Sequence, residues 1–264
     1  MGALSSRPLP LVGLSLHADA EFLAVVEPLL AHIDYGEVAP ETLWRLDHRG
    51  LRANRYHERF LQLRAELQLP FVAHGVGGSP GTVPLPNDAD ADSARCVSWQ
   101  AQLHSDHRQF EFLWCSDHLG ATVVGGEHAV LPLPLPMAGR SGAAMADHVR
   151  ERMLSMFGFV AESGGAAAPK NEAPKKEAPG EAREPPRIAI ENSAFYFALA
   201  SPGARADAAA RTLPMAEPAF LNRCVADPRL GLLLDLHNLH CAEQNFGVDA
   251  LAWLDELAFD KVIE

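Results

Sequence analysis

Short apolar runs alternate with amphipathic stretches along the whole chain, the pattern of parallel strands that cross over through helices. The runs LVGLSLH (11–17), HIDYGEVA (32–39), PFVAHG (70–75), FEFLWCSD (110–117), RIAIEN (187–192), LGLLLDL (230–236) and DKVIE (260–264) predict strands. Several are apolar almost throughout, as strands covered on both faces must be. Between them, Phe22, Val25, Val26, Leu29 and Leu30 keep helical spacing, and so do Tyr56, Phe60, Leu63 and Leu67. Met145, Val149, Met153 and Met156 mark another helix, read as core rather than as a cofactor box. The last, near 247–257, is predicted to bury Val248 and Leu251.

This gives six strand–helix pairs followed by a seventh strand at the final residues. The fold class that fits is α/β, a TIM-type (β/α) barrel of about seven strands whose eighth unit is missing. Three explanations stay open: a fragment, an open sheet, or completion by another chain. An unpaired edge on LVGLSLH and on DKVIE would favour self-association.

At 264 residues with 48% hydrophobic and 21% charged side chains, residues 1–264 are expected to form one barrel domain with a packed core. The exception is 162–186, ESGGAAAPKNEAPKKEAPGEAREPP, which has no large apolar side chain to offset the entropy of ordering it. It is predicted to be a disordered insertion. A net charge of −12 repels a phosphate backbone, so no nucleic-acid partner is expected. No run approaches a membrane span and no signal-peptide core forms, which points to a cytoplasmic protein with no membrane partner. Cys96, Cys115, Cys224 and Cys241 are widely spaced, which predicts reduced and mostly structural thiols. Pro-Leu-Pro-Leu-Pro at 132–136 reads as a rigid connector, and Gly75–Gly81 matches no phosphate-binding fingerprint.

In parallel α/β architectures the chemistry collects at the carboxyl ends of the strands. Those ends carry His17, Glu41, His74, Asp117 with His118, Glu191 with Asn192, and Asp235 with His237, Asn238 and His240. Strand ends rich in His, Asp and Glu that point toward one axis predict a metal site. Imidazole and carboxylate suit iron, zinc or manganese, whereas the cysteine placement argues against a thiolate site. Each residue has a plainer reading. His74 fits a packed core histidine, and Asp235 fits a cap on the following turn. A carboxylate at Glu191, after the apolar Ile-Ala-Ile, is costly unless paired or metal-bound. His32, His48, His57, His104, His107 and His148 lie away from the strand ends and read as surface or packing residues.

AHGVGGSPG, SDHLG, the PLPLP segment, ENSAFYF and LLLDLHNLHCAEQNFGVDALAWLDEL together resemble successive motifs of the multinuclear non-heme iron-dependent oxidases, the group that includes the methanobactin-biosynthesis iron enzyme. The resemblance runs from about Val12 to the end and skips 162–186. It implies a xylose-isomerase-like barrel that holds two or three iron ions and uses dioxygen to oxidise or rearrange cysteine in a ribosomally made precursor peptide, often presented by a partner protein. Carried over by position, it makes His74, His118, Glu191 and Asp235 iron ligands and associates Asn238 with the metal. Asp117, Asn192 and His237 become groups that orient ligands or move protons. The chain departs from the family at Asp117, where a glutamate is usual, and it ends before the further ligands that the family supplies from later strands.

Two other functions fit the same pattern. One is a divalent-metal isomerase or endonuclease of the wider xylose-isomerase-like group, although no basic cluster for phosphate is visible. The other is a catalytically inactive barrel that binds peptides.

Overall fold

The computed structural model describes residues 10–48, 50–84, 89–124, 127–133, 141–162, 187–192 and 217–264. In chain order its strands are β1 (Gly13–Ser15), β2 (Tyr35–Val38), β3 (Trp44–Asp47), β4 (Gly50–Ala53), β5 (Phe71–Gly75), β6 (Cys115–His118), β7 (Ala121–Val124), β8 (Glu127–Leu133), β9 (Ile188–Glu191) and β10 (Leu230–Leu233). The helices are α1 (Ala20–Val26), α2 (Arg55–Leu67), α3 (Ala89–Phe110), α4 (Gly142–Glu162), α5 (Glu217–Cys224), α6 (Leu236–Phe246) and α7 (Ala250–Asp255). Helix starts follow their capping residues. Asp19 accepts from the Phe22 amide, Asn54 from Tyr56 and Asp249 from Ala252, each satisfying a donor that the first turn leaves free.

Six strands form one parallel sheet in the order β1-β2-β5-β6-β9-β10, each followed by at least one helix. A parallel bridge from Leu232 to Val262 continues the sheet beyond β10. The sheet is strongly curled. Glu264 lies next to β10, five strand spacings from β2, which in a flat sheet is about 24 Å. Yet its carboxylate sits 3.1 Å from the Tyr35 hydroxyl of β2 and 2.6 Å from Trp114 Nε1. Only a sheet closing toward a barrel brings those side chains together. The architecture is that of an α/β barrel.

Alternation along the strands sorts the residues by face. Leu14, Val38, Phe71, Cys115, Ile188, Ile190, Leu230 and Leu232 meet the helices, where Phe60, Leu103, Phe110, Met145, Val149, Met153 and Phe157 complete a fully buried core. The register aligns Gly13 with Tyr35, Ser15 with Glu37, His74 with Ser116 and His118 with Glu191, so the polar side chains share the inner face. A Cβ at Gly13 would lie 2.1 Å from the Tyr35 ring, so glycine is what lets the tyrosine lie across β1.

Several expectations need correction. Residues 110–114 are not strand: Phe110 ends α3, Glu111 takes a left-handed φ of 51°, and β6 begins at Cys115. The seventh strand is a single bridge behind a 3-10 turn over Phe259–Lys261. Val25 and Leu29 face solvent. Leu251 is 75% exposed because Trp253, whose indole donates to Glu217, sets the inward face of α7; Val248 does pack on the core. Two antiparallel hairpins, β3–β4 and β7–β8, interrupt the crossovers. The start of the PLPLP connector belongs to β8 and its remainder lies outside the described residues, as does 162–186 after Glu162.

Buried Cys115 and Cys224 have thiols pushed up by burial, as structural cysteines do, and none of the four cysteines is in a disulfide. Among the described residues no helix is long and apolar enough to cross a membrane.

Candidate metal centre

The centre forms where β5, β6 and β9 end. His118 and Glu191 are register partners on adjacent strands, and His74 shares their face one strand over. One ligand atom from each of His74, His118 and Glu191 can be chosen so that all lie within 4.8 Å of one another. The carboxylate lies at the bottom, with 4% of its side chain exposed, and the imidazoles of His74 and His118 are 16% and 23% exposed at the mouth. Their rings meet edge to face at 4.6 Å between centroids.

Neighbours fix each ligand's direction. Ser116, two residues before His118 on the same face, lies 2.9 Å from His74 Nδ1, which turns Nε2 toward Glu191 Oε2 at 3.1 Å. The Asn238 amide donates to Glu191 Oε1 at 2.9 Å and to the Asn192 carbonyl at 3.0 Å. Glu191 Oε2 is buried, and both His74 Nε2 and His118 Nδ1 stand against it. Two imidazole nitrogens and a buried carboxylate oxygen converging on one point form a donor set that could hold a cation. The donor set fits a borderline divalent ion such as iron, zinc or manganese.

The charges are coupled. Burial would raise the Glu191 carboxyl, but His118 and His74 outweigh it and hold it down at about 2. Burial works against the charged form of His74, and Glu191 overcomes it, raising the imidazole to about 9. Such mutual perturbation is found at functional centres and in structural ion pairs alike.

The other expected residues fall around this trio. Asp235 caps α6 by accepting from the Asn238 amide at 2.8 Å, which positions Asn238, and it is outside the three-residue cluster. Asn192 clamps the ends of β9 and β10 through both main-chain groups of Asp235, at 2.7 and 2.9 Å. His237 is exposed on α6, 3.6 Å from Cys241 Sγ. Asp117 lies on the opposite face of β6 from His118. Its Oδ2 accepts from Gly78 at 2.8 Å, and burial, then Glu41, pushes its carboxyl well up. Glu41 accepts from Gly77 at 2.7 Å and Trp99 Nε1 at 2.8 Å, so it anchors the turn after His74. His17 is exposed against Phe22. Ser116 was missed from sequence, although its spacing of two before His118 is the signal that puts it on the ligand face.

Residues 184–264 match the family model of the RiPP precursor modification enzymes MbnB/TglH/ChrH, which bears out the resemblance drawn from the motifs. The chain is 27% identical over 255 residues to a UPF0276 protein of Shewanella oneidensis, covering 96% of this chain and 69% of that one. It is 26% identical over 252 residues to a UPF0276 protein of Acinetobacter baylyi, covering 96% and 68%. Among solved structures, a D-psicose 3-epimerase from Clostridium cellulolyticum H10 superimposes with a TM-score of 0.50 at 9% identity, over 94% of this chain and 71% of that one. That likeness concerns the fold.

Proposed function

We propose that this chain, similar over its C-terminal third to the MbnB/TglH/ChrH enzymes, is a non-heme iron oxidase that modifies cysteine in a ribosomally made precursor peptide. The observation that carries the reading is the convergence of His74, His118 and the buried Glu191 carboxylate on one point. Iron held there would bring dioxygen and a peptide thiolate together and carry electrons from sulfur to oxygen.

The chain's own residues have distinct tasks. His74, His118 and Glu191 are the ligands, and Asp235 and Asn238 at the adjoining end of β10 complete the neighbourhood expected of further metal ions. Asn238 holds Glu191 Oε1 and so aims Oε2. Ser116 fixes the His74 ring. Asn192 keeps β9 and β10 in register at the point where Glu191 leaves the sheet. Asp117 supports the turn that follows His74, and His237 stands on the solvent side of α6, available to a proton leaving the mouth.

The test is turnover. Anaerobically purified chain loaded with iron(II) is mixed with dioxygen and a short cysteine-containing peptide encoded beside its gene, and the peptide is read by mass spectrometry. Oxidation at cysteine that disappears in His118→Ala is expected. An unchanged peptide with fully loaded enzyme would overturn the oxidase assignment.

A further inference from the structure

The chain carries 34 acidic against 22 basic residues, yet residues 44–55, WRLDHRGLRANR, hold Arg45, Arg49, Arg52 and Arg55 against a single Asp47. β3 and β4 run through this basic stretch, which the sequence reading did not count as a basic cluster. Arg45 and Arg52 are register partners across the two strands, so their side chains stand side by side on one face. Both are exposed, and among the described residues neither forms an ion pair, although Asp47 stands on the same face two residues from Arg45. Like charges placed directly opposite destabilise a strand pair. The other face explains why the hairpin forms regardless: Trp44 is buried, with its indole on Asp106 at 2.5 Å, and Leu51 packs on the core.

The hairpin is tied to the loop that follows His74. It follows β2, so in a parallel sheet it emerges at the same end as His74, His118 and Glu191. The turn leading into it carries Glu41, which grips the Val76 and Gly77 amides just past His74. Among the described residues neither outer edge of the two-stranded sheet pairs with another strand, although the Trp44 carbonyl already accepts from the Asn54 side chain.

We propose that the β3–β4 hairpin is the docking surface for an acidic segment of the peptide substrate, with Arg45 and Arg52 pairing its carboxylates. This rests on the peptide-modifying role proposed above and deepens it. A peptide is favoured over nucleic acid because the net charge of −12 repels a long polyanion, while a short peptide brings few charges.

The test is fluorescence anisotropy on the full, iron-loaded chain with a short glutamate-rich peptide containing one cysteine, its glutamine counterpart, and a single-stranded RNA of matched charge. The glutamate peptide is expected to bind about tenfold tighter than the glutamine one. Added salt and Arg45→Glu with Arg52→Glu should both abolish that preference, with iron content unchanged. Should the charge-reversed chain misfold, Arg45→Gln with Arg52→Gln should still weaken the glutamate peptide roughly threefold. Equal affinity of wild-type and substituted chains for the glutamate peptide would overturn the proposal, as would tighter binding of the RNA. Because binding is read without turnover, an arginine-dependent preference in a chain that takes up no iron supports the docking surface and counts only against the oxidase.

Discussion

Asn238 donates its side-chain amide to Glu191 Oε1 at 2.9 Å, and the other carboxylate oxygen is thereby left facing His74 and His118. Asn238 is itself set by Asp235, which caps its helix from the end of β10. A cap, an amide and a carboxylate thus act in series on one ligand atom. Truncating Asn238→Ala leaves the three ligands in place but frees the carboxylate to rotate. Metal affinity should fall about 10- to 100-fold with little change in folding, as measured by competition with a metal-binding dye.

Gly78 lies against Asp117. A Cβ there would meet Asp117 Oδ2 at 2.2 Å, so Gly78→Ala must push the carboxyl off its backbone donor in a fully buried setting. The expected loss is about 2–3 kcal/mol of unfolding free energy. Asp117→Asn keeps the acceptor and mimics the neutral acid that burial favours, so it should cost less than about 1 kcal/mol by urea denaturation.

Asp106 joins three elements. It accepts from Trp44 Nε1 at 2.5 Å and Gln102 at 2.9 Å, with His57 Nε2 at 3.0 Å. Asp106→Ala strands these groups in the core and should cost about 3 kcal/mol. Because Trp44 begins the basic hairpin, amide exchange over 44–53 should also accelerate, whereas a purely global effect would raise exchange everywhere alike.

His107 gives stability a pH dependence. Burial, then the charges of Arg187 and His104, lowers its imidazole from 6.5 to about 4. Between those values the unfolded chain binds the proton and the folded one does not, so stability falls as pH drops from 6.5 toward about 4 and is unaffected above. His107→Phe, stacked like the imidazole on Phe112, removes this contribution. The wild-type urea midpoint should fall relative to that of the variant as pH drops through that window; parallel curves would contradict the assignment.

The clustering of His74, His118 and Glu191 was legible because each closes an apolar run, and strand ends are where a parallel sheet gathers polar groups. Asp117 was not, since adjacency in sequence to His118 means the opposite face of the strand. Asp235 serves as the turn cap that its residue type equally allowed. The β3–β4 hairpin escaped because WRLD and GLRA are four residues each and broken by charged side chains, and what holds it is Trp44 on Asp106, 62 residues away. The inward face of α7 depends in the same way on Trp253 reaching Glu217 from another helix. Local patterns record which residues alternate; they do not record partners brought in by the crossovers.

The most direct measurement is iron per chain, counted by plasma mass spectrometry after anaerobic loading and desalting. The account predicts at least one equivalent in the wild type and its loss in folded His74→Ala and Glu191→Ala chains. A wild type that emerges without metal, or substituted chains that keep the wild-type content, would contradict it.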